Sequence, residues 1–124
     1  VLDRIAATLP DGPVLVHCAF GKDRAGLITA LIHAAIGVRR DDIVADYVRS
    51  DEPAQRRRVT LIDDPSPDDP PVARLPANLF RAPAETIELV LDRAVDEHGS
   101  LEAWVASFPI SASTIERLRA ELVA

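Results

Sequence analysis

Apolar positions recur at helical spacing from the start of the chain: Leu2, Ile5, Ala6 and Leu9 fall on one face, which predicts a short amphipathic helix. Pro10 and the turn-forming run Asp11-Gly12-Pro13 end it. Val14-Leu15-Val16 follows, an apolar run between turn signals, and reads as a buried strand of the parallel type. From Arg24 to Ile36 the pattern changes. Leu27, Ile28, Leu31, Ile32 and Ala35 leave hardly any polar face, predicting a central, buried helix closed by Gly37. Asp41 is placed to cap the next helix, which runs to about Arg49 with Ile43, Val44 and Tyr47 inward.

Periodicity fades between residues 51 and 83. Seven of the ten prolines lie there, with a basic triplet (Arg56, Arg57, Arg58) and an acidic cluster of Asp63, Asp64, Asp68 and Asp69. The expectation is a long, lid-like loop with at most a helical turn near Arg56. Regular structure returns at Pro83, suited to the first position of a helix reaching Glu97, with Ile87, Val90, Leu91, Ala94 and Val95 as its stripe. Gly99 stops it. Ser100 caps a short helix that ends before Pro109 and carries Trp104 and Phe108, four residues apart in core-packing register. The last helix starts at Ser111 or Ser113; Ser113 and Glu116 have capping-box spacing.

Composition narrows the function. At 124 residues the chain is one small domain's worth, and 48% apolar residues can build a core. A formal net charge of −6 speaks against nucleic acid as a partner, which requires a basic face. No apolar run approaches the ~18 residues of a membrane span, and Asp3, Arg4 and Asp11 break up any signal-like stretch. One cysteine excludes an internal disulfide and a multi-cysteine metal site. The four aspartates lack fixed spacing and read as solvated turn residues, not metal ligands. His33, alone in an apolar helix, reads as structural, and His98 suits the C-terminal end of a helix dipole. With no Met and a start at Val1, the expectation is a piece of a longer chain.

A lone cysteine is more often a small buried hydrophobe than a nucleophile, so its neighbours decide. They are His17-Cys18-Ala19-Phe20-Gly21-Lys22-Asp23-Arg24, between the expected strand and the buried helix. A phosphate monoester carries nearly two negative charges and needs many donors converging on one point. A loop entering a helix N-terminus supplies them as inward-turned N–H groups reinforced by the helix dipole. Gly21 permits the tight path, and Arg24 can grip two phosphate oxygens with its planar fork. The same field lowers the pKa of the Cys18 thiol and prepares a thiolate for in-line attack. A nucleotide-binding Walker loop is excluded, because Asp23 and not Ser or Thr follows Lys22 and Val16 replaces the earlier glycine.

The run His-Cys-x-x-Gly-Lys-Asp-Arg-x-Gly resembles the loop of a bacterial tyrosine-phosphatase family that includes broad-specificity mycobacterial enzymes and atypical lipid phosphatases. The likeness continues through residues 43–50 and from Ala82 through His98-Gly99-Ser100 to Leu122. The resemblance implies an α/β, tyrosine-phosphatase-like fold, a parallel sheet flanked by helices. Residues 1–124 would form its C-terminal part, mostly helical, with the remaining sheet and an N-terminal half missing or replaced by self-association. It implies phosphate-monoester hydrolysis through a cysteinyl-phosphate: Cys18 the nucleophile, Arg24 the phosphate clamp, and backbone N–H groups of Ala19, Phe20, Gly21, Lys22, Asp23 and Arg24 the cradle. Asp23 orients Arg24 or takes part in proton transfer. His17 fixes the loop from the core by hydrogen bonding.

No cofactor or metal is implied. The substrate is a phosphorylated protein or, given Lys22, a phosphoinositide. The expected compartment is the cytoplasm, with secretion the alternative. Ala25 departs from the family's usual Ser or Thr, whose hydroxyl stabilises the departing thiolate. The rival readings are therefore a catalytically impaired phosphate-binding module and an inactive truncated fragment.

Overall fold

The computed structural model describes residues 1–67, 71 and 75–123. Seven α-helices occur among them: α1 (Leu2–Thr8), α2 (Arg24–Ile36), α3 (Arg40–Val48), α4 (Asp51–Asp63), α5 (Ala84–His98), α6 (Leu101–Ala106) and α7 (Ala112–Leu122). Short 3-10 turns follow α1 at Leu9–Asp11 and precede α5 at Ala77–Phe80.

Helix α2 is the hub, packing against α3, α6 and α7. Its two sides serve two cores. Ala30, Ala34 and Ala35 join Ile43, Tyr47, Ile87, Leu91, Trp104 and Val105 on one side. Ile32 joins Leu2, Ile5, Ala6 and Leu118 on the other. A helix buried on both flanks needs apolar residues nearly all round, which accounts for the pattern seen in its sequence. Leu27 is the exception: it is exposed, as the helix passes its first turn at the protein surface.

The helix boundaries mostly follow from their caps. The Ser100 and Ser111 side chains accept hydrogen bonds from the N–H groups of Ala103 and Thr114, satisfying first-turn donors. Ser111 therefore starts α7, and the Ser113–Glu116 pair does not. Pro83 stands one position earlier than expected, as the N-cap of α5. Asp41 lies in the first turn of α3 and does not cap it; Arg39 holds the N-cap position.

Two expectations differ from the structure. Residues 51–63, read as the opening of a loop, form helix α4. Pro53 is the third residue of that helix, where a missing N–H costs nothing because first-turn donors have no intrahelical acceptor. Glu52 and Arg56 pair at 3.0 Å across one turn. The second difference concerns Val14-Leu15-Val16. Among the described residues there is no strand; residues 13–18 run without regular structure, and Leu15 is 84% exposed. A strand is defined by its ladder, and no described segment lies alongside to form one. Val14 and Val16 nonetheless rest against the core that Leu2, Ile5, Ile32 and Leu118 build.

Asp63 and Asp64 end α4 in exposed positions; Asp68 and Asp69 lie outside the described residues. No helix among the described residues is long and apolar enough to cross a membrane.

Candidate active site

The site forms where residues 13–18 turn into α2. Gly21 takes φ +73°, the left-handed region that costs a side-chain-bearing residue about 1–2 kcal/mol, and this bend redirects the chain toward the helix. Asp23 occupies the N-cap position of α2. Its carbonyl accepts from the Leu27 N–H at 2.9 Å, but its side chain caps nothing. The amides of the first turn therefore stay free to point elsewhere.

One of them, the Ala25 N–H, acts on the Cys18 sulfur together with amides of the loop. Backbone N–H groups hold the Cys18 thiol below its ordinary range; Ala25 contributes most, burial opposes it next, and Gly21, Phe20 and Asp23 add smaller lowering effects. Hydrogen bonds to the anionic form favour ionisation, and the helix N-terminus adds in the same sense. The ring on the sulfur takes Phe20, Gly21 and Asp23 from the expected cradle and adds Ala25; Ala19, Lys22 and Arg24 are not in it. Ala25, which the sequence singled out only for its missing hydroxyl, is a buried donor of that ring.

The remaining predicted residues fall into place unevenly. Arg24 is the first residue of α2, exposed, and no ion pair or side-chain hydrogen bond engages it among the described residues. Lys22 is 5% exposed. Its Nζ donates to Asp23 Oδ1 at 2.6 Å, so Asp23 holds the lysine and not Arg24. His17 is exposed and makes no hydrogen bond to the loop among the described residues. The expectation of a core histidine is not met, because nothing among the described residues covers that side chain. His33 is half-buried in α2, with Nδ1 buried and unpartnered.

Other features of the site have no local signature. Gly26, the last glycine of the loop motif, lets Tyr47 of α3 lie against α2; a Cβ there would meet Tyr47 Cε2 at 2.9 Å. Burial, together with the charge of nearby Asp23, raises the Tyr47 phenol, while a hydrogen bond with Thr86 opposes this. Beside the loop opens a cleft of about 690 Å³ lined by Lys22, Asp23, Asn78, Leu79, Arg81, Pro83 and Thr86. Phe80, just before its rim residue Arg81, packs edge-on against Phe20 of the loop. These contacts join residues 20 to 60 positions apart, which no short-range pattern announces.

A thiol that nearby amides favour as its anion, at a helix N-terminus with a guanidinium at the helix start and a cleft alongside, has the chemistry to receive a tetrahedral anion. Comparison with known proteins gives the family. The sequence pattern described as "Tyrosine phosphatase family" matches residues 1–124, the whole chain. A triple specificity protein phosphatase, PtpB, of Mycobacterium tuberculosis is 35% identical over 133 aligned residues, covering 98% of this chain and 48% of that protein. A tyrosine-protein phosphatase of Nostoc commune is 31% identical, covering 98% of this chain and 42% of its own length. The chain spans about half the length of these relatives.

Proposed function

This chain belongs to the tyrosine phosphatase family, and from that premise we propose that it hydrolyses phosphate monoesters through a phosphocysteine formed on Cys18. One observation carries the reading: four backbone N–H groups around the helix N-terminus favour the Cys18 thiolate. In the first step the thiolate attacks phosphorus, the bond to the ester oxygen breaks, and that oxygen takes up a proton. In the second, water attacks the phosphocysteine, releasing inorganic phosphate and restoring the thiolate. Arg24 grips two non-bridging oxygens, and the loop amides take the rest.

Asp23 is the proposed proton donor to the leaving oxygen. It borders the cleft, and its side chain is 62% exposed beside the buried Lys22. Between the two steps Lys22 Nζ holds the Asp23 carboxylate, at 2.6 Å, until it takes a proton back from the attacking water. Phosphotyrosine is the leading substrate class. The breadth named in the PtpB relative, together with Lys22, makes phosphoinositides the second. The family's parallel sheet belongs to the same proposal: Val14-Leu15-Val16 is its strand in this C-terminal portion, consistent with an exposed Leu15 and an unpaired backbone.

A single-turnover assay with a labelled aryl phosphate tests the mechanism. Label is expected on Cys18, followed by release of inorganic phosphate, and Cys18→Ser abolishes both. A Cys18→Ser variant as fast as the parent refutes the nucleophilic role. Ala25 supports a second reading, a phosphate-binding module that turns over poorly, because the thiolate lacks a neighbouring hydroxyl as it departs. Label captured on Cys18 and never released selects that reading over the enzyme.

A further inference from the structure

Phe20 is the largest side chain of the phosphate loop, and it is not left to solvent. Its ring meets that of Phe80 edge-on, with centroids 4.9 Å apart and planes at 73°, a favoured aromatic geometry. Phe80 is 1% exposed. Leu61 of α4 packs in the same small cluster, and the Arg58 guanidinium lies over the Phe80 ring at 5.5 Å, attracted by its face. Ala54, Arg58 and Leu61 share the inner stripe of α4, at i, i+4 and i+7.

The backbone that follows Phe80 is fastened to the same helix. Asp51, the first residue of α4, accepts from the Ala82 N–H at 2.6 Å and from Arg81 Nε at 2.9 and 3.1 Å. Gln55 Nε2 holds the second oxygen at 2.7 Å. Helix α4 therefore fixes Phe80 twice, through its apolar stripe and through this carboxylate. Phe80 in turn meets a loop that has no ladder of its own. The N–H groups of Phe20 and its neighbour Gly21 are two of the four that turn toward Cys18, so whatever holds the Phe20 ring also holds those donors.

We propose that Phe80 is a positioning residue for the phosphate loop, holding Phe20 and its inward-turned amides from an arm that Asp51 fastens to α4. This rests on reading that loop as the phosphate site. Helix α4 thus supports the loop from behind, in addition to any role as a cover.

The single cysteine allows a direct test on the full chain: the pH dependence of Cys18 alkylation by iodoacetamide. Phe80→Ala is expected to raise the midpoint by about one pH unit, toward the ~8.5 of a free thiol, and to slow phosphate capture from an aryl phosphate. Phe80→Leu, which keeps bulk without the edge contact, falls between. Asp51→Asn moves the midpoint the same way. Leu118→Ala, equally buried but in the other core, lowers the melting temperature and leaves the midpoint in place. A folded Phe80→Ala chain with the parent midpoint overturns the proposal, as does an equal shift in Leu118→Ala. If Phe80→Ala does not fold, unchanged midpoints in Phe80→Leu and Asp51→Asn overturn it instead. A parent chain that never acquires phosphate, while the midpoints still move, sinks the phosphatase reading and leaves the ring contact as the loop's support.

Discussion

Ala25 and Gly26 follow Arg24: Ala25 serves the site through its backbone N–H, Gly26 through the side chain it lacks. Gly26 admits the Tyr47 ring. Gly26→Ala gains up to about 1 kcal/mol of helix propensity but overpacks against a buried ring, at about 1–3 kcal/mol. Thermal unfolding is expected to show a net loss of stability. Ala25 is 4% exposed and donates toward Cys18. Ala25→Ser adds a hydroxyl next to the departing thiolate, and is expected to accelerate phosphate release in pre-steady-state measurements with little change in the capture step. Cys18 itself has a folded-state pKa lowered from its ordinary value, chiefly by the Ala25 N–H. Its contribution to stability is therefore present above the unfolded pKa and lost as pH falls through the folded one. Alkylation of the native chain should reach half-maximum at lower pH than that of the chain denatured in urea.

At the scale of elements, α4 is the informative case. Prolines and a charged triplet suggested a loop, yet a proline in the first turn removes only a donor that had no acceptor, and the stripe Ala54–Arg58–Leu61 was masked by the charge in its middle. Asp51 ties α4 to the arm carrying Phe80. The Ala82 N–H, and after it Arg81, hold the Asp51 carboxyl below the usual carboxylate range. The charged form is the one the fold favours, so this tie is complete above the unfolded value of ~3.9 and lost as pH falls through the lower folded value. Hydrogen exchange on acidification should show the Ala82 amide losing protection, and Asp51→Asn should remove that pH dependence. On α5, Leu91 is 0% exposed in the core shared with α2 and α3. Leu91→Ala is expected to cost about 2–5 kcal/mol, read by chemical denaturation.

For the whole molecule, two cores meet on α2 and the site sits at its N-terminal end. Residues 27–35 should therefore be the most protected amides in native-state exchange, while those of Val14, Leu15 and Val16 exchange at nearly solvent rates. Uniformly fast exchange across residues 27–35 would instead support a fragment without a stable fold. The apolar groove lined by Ile5, Val14, Leu15, Val16 and Ile28 fits the sheet proposed for this family.

Short-range chemistry along the chain dictates the order of the site: turn, thiol, glycine bend, arginine, then the start of a helix. These follow from neighbouring residues, as do most helix ends, because caps, glycines and 3.6-residue periodicity act within a few positions. Long-range packing settles the rest: Asp23 holds Lys22 and, among the described residues, not Arg24; Tyr47 fills the space over Gly26; Phe80 grips Phe20; and α4 forms as a helix. Those outcomes depend on which distant surfaces come together. Packing and desolvation set them after the chain has closed on itself, and no local spacing encodes them.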